Sequence, residues 1–341
     1  MPNPAHRIPL SVLELAPRSR GMSPADALAE STKLAQEVDR LGYHRLWVAE
    51  HHGSEAFMAS ATSLLLGHIA EHTGRIRLGS GGVMLPNHSP LMVAEYYGTL
   101  ATLYGDRFDL GLGRAPGTDP MTAAALQRGS GQLDTFARDV LDLVGYLGDP
   151  DGERKVRALP GEGTKVPLWM LGSSTGGAQV AALLGLPFSF ASHFAPQQMT
   201  EAIALYRERF QADADTAQVD RPTVMAGVNV LVAPTTEEAE FLFSTARLMA
   251  ARIRTGQPAP LDPPVEDLGS VLPQGVLELT SGLHSFRAVG TPEEVVDRLE
   301  AIVAEHDLDE LIITTYTYDP ELRRRSFRLL ADAWGLPESS A

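Results

Sequence analysis

The chain reads as an α/β protein of eight successive β/α units, a TIM (β/α)8 barrel with insertions after the fourth and seventh strands. Two observations predict it. Short apolar runs alternate with longer helical stretches along the whole sequence, and polar or glycine-rich residues gather where the apolar runs stop. In a parallel α/β fold that carboxyl end is where ligands bind. The chain has 341 residues, 44% of them hydrophobic, enough apolar mass for one barrel-sized core.

Each element has its own signature. Residues 8–13 form the first strand, and a Gly/Pro/Arg loop leads to Gly21. Ser23-Pro24-Ala25-Asp26 supplies a capping hydroxyl, a proline at the first helical position and a carboxylate able to reach back, and Gly42 ends that helix. Leu46-Trp47-Val48-Ala49 is apolar without alternation, as a strand covered on both faces requires. A mostly buried helix over 60–71 precedes the third strand at 76–85, and Ser89-Pro90 opens a helix to about Tyr104. Residues 108–113 and 133–147 are the fourth strand and helix. The polar stretch 148–166 is the first insertion. Strands at 167–171 and 187–191 alternate with helices at 178–184 and 198–210. Residues 224–232 are the seventh strand, and Thr235-Thr236-Glu237-Glu238 caps a helix reaching about Arg254. The second insertion, 256–290, is proline-rich over 257–285 with no clear period, the mark of a lid or mobile loop in a compact domain. Thr291-Pro292-Glu293-Glu294 caps the next helix, 311–315 is the eighth strand, and 321–334 the final helix. One domain over residues 1–341 is expected.

Composition excludes several functions. The formal net charge of −15 argues against a general affinity for nucleic acid or anionic membrane, so an anionic ligand needs a local device. The absence of cysteine rules out disulfides, thiolate metal sites and a cysteine nucleophile. The start of the chain lacks an apolar leader and no run is long enough to span a bilayer, so a cytoplasmic protein is expected.

Five strand ends carry the candidate chemistry. The second strand stops at Glu50-His51-His52. An isolated His-His pair is more often structural than catalytic, but a carboxylate and two imidazoles at this end raise the prior. Side chains alternate, so one histidine faces a ligand while the other orients or supports. The third strand ends in Gly79-Ser80-Gly81-Gly82-Val83, where glycines predict a bulge or a backbone that something flat approaches. After the fourth strand, Arg114 is the first charged residue, placed to pair with a phosphate. After the fifth, Ser173-Ser174-Thr175-Gly176-Gly177 runs into a helix, where free amides, hydroxyls and the helix dipole form an anion site. Ser192 and His193 add polar groups after the sixth.

On these residues the chain resembles the bacterial-luciferase-like flavin-dependent monooxygenases, most closely the YhbW-like single-component group. Ala49-Glu50-His51-His52, the run from Gly79 to Pro86 with Asn87-His88-Ser89-Pro90, the run from Asp109 to Gly117, and the run from Ala191 to Phe194 stand in the order that family uses. The resemblance implies reduced FMN (FMNH2) reacting with O2 to a C4a-hydroperoxyflavin that oxygenates a small organic substrate. It further implies a homodimer, and a separate NAD(P)H:flavin reductase is the expected source of reduced flavin. It places a non-prolyl cis peptide at Gly81-Gly82 beneath the flavin ring. It makes His51 the catalytic histidine, with Glu50 orienting it, and sets Arg114, Ser173, Ser174, Gly176 and Gly177 about the FMN phosphate, with Ser192 and His193 on the same rim. Ser173 stands where the luciferase phosphate loop has glutamate, and Gly113 where luciferase has a reactive cysteine, so light emission and an aldehyde substrate are not carried over. Relatives that transfer hydride with F420 keep an alternative open on the same fold, as does a non-catalytic flavin-binding subunit. A barrel metallohydrolase fares poorly: the first strand has no His-x-His and the histidines lie at ill-matched positions, so no metal is expected.

Overall fold

The computed structural model describes residues 7–115, 118–126, 135–150, 152, 154–282 and 285–337. Its strands are β1 Leu10–Glu14, β2 Arg45–Val48, β3 Arg77–Met84, β4 Phe108–Gly113, β5 Leu168–Gly172, β6 Phe188–Phe190, β7 Val224–Val232, β8 Arg287–Gly290 and β9 Glu310–Thr314. Every pairing is parallel. Strands β1 to β7 pair in sequence order, and β9 lies between β7 and β1, so eight strands close into a barrel. The ninth strand, β8, pairs with the far end of β7, Asn229 to Val232, outside the closed ring.

The helices are α1 Pro24–Arg40, α2 Thr62–Glu71, α3 Pro90–Tyr104, α4 Pro120–Ala125, α5 Phe136–Leu147, α6 Thr175–Leu183, α7 Met199–Arg209, α8 Thr236–Arg254, α9 Gln274–Thr280, α10 Pro292–His306 and α11 Pro320–Trp334. The capping chemistry read from sequence is present at α1, where Ser23 and Asp26 bond reciprocally, and at α10, where Thr291 and Glu294 do the same. Ser89 makes no such bond; Pro90 alone marks that start.

Alternation along the strands sorts the core into two layers. Leu10, Val12, Leu46, Val48, Leu168 and Met170 pack outward against the helices, while Leu13, Trp47, Trp169, Met225 and Ile312 fill the barrel. Leu242, Phe243, Ala246 and Met249 of α8 join the inner layer, so α8 closes part of the barrel mouth. Beneath the tryptophans, Arg45 pairs with Asp109 at 2.6 Å and Glu310 at 2.7 Å, a buried ionic floor that also receives the Trp47 indole N–H at Asp109.

Three elements differ from the sequence reading. The second insertion is not structureless: it holds a 3-10 turn at Leu268–Ser270, helix α9 and strand β8. These pieces are short, and β8 exists because β7 runs past the barrel and offers an edge. Helix α4 was not expected; Asp119 caps it through the amides of Met121 and Thr122, and it buries no residue, so it has no hydrophobic period to read. Helix α6 begins at Thr175, three residues earlier than the apolar pattern implies, which puts Gly176 and Gly177 in its first turn. Among the described residues no helix is long and apolar enough to cross a membrane.

Candidate functional site

At the end of β2 the chain turns Glu50 away from the barrel axis and into a corner formed with the segment before α3. Its carboxylate is 1% exposed and accepts from His52 Nε2 at 2.8 Å, His88 Nε2 at 2.9 and 3.0 Å, Asn87 Nδ2 at 3.2 Å and the Met84 amide at 3.1 Å. Burial pushes this carboxyl up, but the hydrogen bonds and charge of His88, with those of His52 and Met84, outweigh it and hold it below the ordinary value. Glu50 therefore orients His52 and His88, and not His51 as the sequence reading had it. The reason is alternation: Glu50 and His52 share one side, and His51 points to the other. The His51 ring lies 5.3 Å from that of Phe57, and its nitrogens make no hydrogen bond among the described residues. Burial lowers the pKa of His51 to about 4, so the imidazole is neutral at physiological pH. His88 is the residue sequence reasoning missed. Its motif, Asn87-His88-Ser89-Pro90, was read as a helix start and family mark without a role.

The glycine run is a bulge. Ser80 pairs with Leu110 and Val83 with Leu112, so β3 carries one residue more than β4. The Gly81-Gly82 peptide within it is cis. A Cβ on Gly81 would lie 2.6 Å from Leu13 Cδ1 and 3.0 Å from Trp47 Cβ, and one on Gly82 would lie 2.7 Å from the Gly111 carbonyl oxygen. Packing of β3 on β4 and on Trp47 thus demands these glycines whether or not a ligand approaches them.

The opposite arrangement holds between β5 and α6. Ser174 occupies the N-cap position of α6 with no side-chain cap bond, leaving the first-turn amides without the usual internal acceptor. The exposed Arg114, arriving from the end of β4, lays its guanidinium across Gly176: a Cβ there would lie 3.1 Å and 3.3 Å from its two terminal nitrogens. Ser173, Ser174, Gly176 and Gly177 are half-buried beside it. The structure brings together the guanidinium and the helix start that sequence placed on separate strands, a donor set suited to an anion.

Ser192 and His193 serve a different end. Ser192 is fully buried and its hydroxyl donates to the Gly227 carbonyl at 2.7 Å, so its proton is committed to β7. The His193 carbonyl accepts from Asn229 Nδ2 at 2.6 Å, and its ring fills the space above Gly227. Together they fasten β6 to β7.

Comparison with known proteins places this geometry in context. The sequence matches the profile described as luciferase-like monooxygenase over residues 10–309. It is 43% identical over 326 residues to a luciferase-like monooxygenase of Escherichia coli K12, covering 95% of this chain and 96% of the relative. It is 32% identical over 337 residues to the N-acetyl-S-alkylcysteine monooxygenase of Bacillus subtilis, covering 96% and 98%. The solved structure of apo-MsnO8 superposes with a TM-score of 0.85 at 36% identity, covering 98% of this chain and all of that one. More distant structures bear on the fold alone. They include the FMN-bound oxygenating constituent of a Pseudomonas putida diketocamphane monooxygenase, at 16% identity and TM-score 0.69, and an F420-dependent secondary alcohol dehydrogenase, at 15% and 0.68. The barrel, the profile match over most of the chain and relatives aligned nearly end to end agree: this chain belongs to the luciferase-like monooxygenase family.

Proposed function

We propose that the protein is a flavin-dependent monooxygenase that uses FMNH2 and O2 to oxygenate a small organic substrate. The observation that carries the reading is Arg114 lying across Gly176 at the uncapped start of α6, a donor set shaped for a phosphate. Arg114, the first-turn amides and the hydroxyls of Ser173 and Ser174 would hold that phosphate, and the backbone at Gly81 and Gly82 would support the ring. FMNH2 supplies the electrons that activate O2. The chain's own part is to hold the cofactor, exclude water and manage a proton. His51 is the proton-handling group, neutral and with both ring nitrogens uncommitted among the described residues. Phe57 and Tyr316, in the apolar layer beside it, keep water from the barrel mouth.

Reduced flavin comes from a separate NAD(P)H:flavin reductase. The working form is a homodimer: Leu64 on α2 is 77% exposed and Leu103 on the neighbouring α3 is 66% exposed, with Met92 and Tyr96 also open, an apolar face that a second copy covers. Organic thioethers come first in a substrate screen, because the Bacillus relative is named for one.

Titration with FMN, riboflavin and F420, followed by an oxygen pulse on the anaerobic FMNH2 complex, tests the proposal. FMN should bind more tightly than riboflavin or F420, and the pulse should give a transient absorbance distinct from oxidised flavin. Preferential F420 binding with no oxygen consumption would replace this reading with hydride transfer.

A further inference from the structure

We propose that Glu50, His52 and His88 form a site for one divalent first-row transition-metal ion, of the zinc class. The inference is independent of the flavin reading, because it rests on a corner that the proposed phosphate site does not touch. One ligand atom from each of the three residues can be chosen so that all lie within 4.8 Å of one another. Glu50 Oε1 stands 2.8 Å from His52 Nε2 and 2.9 Å from His88 Nε2. An ion with bonds of about 2.1 Å sets adjacent ligands about 3.0–3.4 Å apart, so groups now 2.8 and 2.9 Å apart across hydrogen bonds, and all within 4.8 Å of one another, stand close to the spacing that such an ion needs. Two imidazoles and one carboxylate form a donor set suited to zinc, iron, cobalt or manganese, with the remaining positions left to water.

Three features of the corner suit ligation. Glu50 is already orientated, since the Met84 amide holds Oε2 at 3.1 Å and Asn87 Nδ2 donates to Oε1 at 3.2 Å, with Oε1 facing both imidazoles. The Nδ1 atoms of His52 and His88 make no hydrogen bond among the described residues, so each ring can carry its proton there while Nε2 ligates. Access exists from the histidine side: their side chains are 18% and 31% exposed, whereas Glu50 is 1% exposed. The ligands come from the end of β2 and the segment before α3, so the ion would join two consecutive β/α units.

The test uses the full chain without a histidine tag, stripped with chelator and titrated with Co2+ by visible absorbance, then with Zn2+ in competition. We expect a saturable ligand-field spectrum reaching one ion per chain and displaced by Zn2+. His52→Gln and His88→Gln should each weaken binding by about 10-fold or more, as loss of a ligand must exceed the loss of an outer-shell partner. The control is His72→Gln, which disrupts the pair of His68 on α2 and His72 at its C-cap, whose rings lie 4.6 Å apart; it should leave the titration unchanged. Absence of saturable binding, an unchanged titration in His88→Gln, or loss of binding in His72→Gln would each overturn the site.

Discussion

Two corners of the barrel mouth look alike as sequence and differ as structure. Around Glu50, the buried carboxylate takes donors from two histidines, an asparagine and a backbone amide. Around Gly176, the helix start has no side-chain cap, and the nearest charge is an exposed guanidinium laid over a glycine. The first corner is organised around a buried carboxylate and the second around an exposed cation and helix-start amides. Polar residues at strand ends therefore report two different things. One cluster is held together by donors to a buried carboxylate, while the other presents a guanidinium and helix-start amides suited to a ligand that brings acceptors. His51 and His52 show the same split within two residues: His52 belongs to the carboxylate corner, and the His51 nitrogens make no hydrogen bond among the described residues.

The sharpest way to break this comparison is to remove each histidine in turn. His51→Ala should retain FMNH2 binding and lose about 10²- to 10⁴-fold in coupled turnover, the ordinary contribution of a proton-handling group, with oxygen diverted to peroxide. His52→Ala should keep turnover coupled and lose stability. Coupled turnover and peroxide yield measure both, and the opposite pattern would exchange the roles.

Next is stability. Glu50→Ala strands several donors at once and should destabilise the fold by about 3 kcal/mol, whereas Arg114→Ala, at an exposed site, should stay within about 0.5 kcal/mol. Urea unfolding compares them; a small loss at Glu50 would mean that its carboxylate does not hold the corner together. In ligand binding the ranking reverses. Arg114→Ala should weaken FMN by about 10- to 150-fold, corresponding to about 1.5–3 kcal/mol for a charged hydrogen bond, and leave riboflavin nearly unchanged. Equal loss for both flavins would remove the phosphate from the Arg114 corner.

A further test lies in pH dependence. With the His51 pKa lowered to about 4, the unfolded chain takes up a proton near pH 6.5 that the native state refuses until about pH 4. The penalty is absent above that window and grows as pH falls through it, so native stability should decline there. His51→Ala should show a shallower decline between those limits. An identical slope would mean that His51 is protonated in the native state at mild acidity.

Much of this was legible before any coordinates. The uninterrupted apolar run at Leu46 to Ala49 reads as a strand covered on both faces, and β2 is buried along its whole length. Ser23 with Asp26 and Thr291 with Glu294 announced helix starts because a cap is a local interaction written within four residues. Local signals failed where a partner distant in sequence decides the outcome. Strand β8 depends on an overhanging β7, and the need for glycine at 81 and 82 depends on Trp47, Leu13 and Gly111.

The sequence by itself determined the alternation of eight β/α units, most helix starts, the bulge-prone glycines and the strand ends where chemistry gathers. All of these follow from propensity, period and capping, which act over a few residues. Only the tertiary structure decided which polar groups meet. Closure of the barrel sets Arg114 on Gly176, 62 positions on, and brings His88 to Glu50 across a helix and a strand, taking that carboxylate from His51. The physical reason is that a hydrogen bond is fixed by distance and direction in space, and sequence spacing encodes these only within a turn or along one strand.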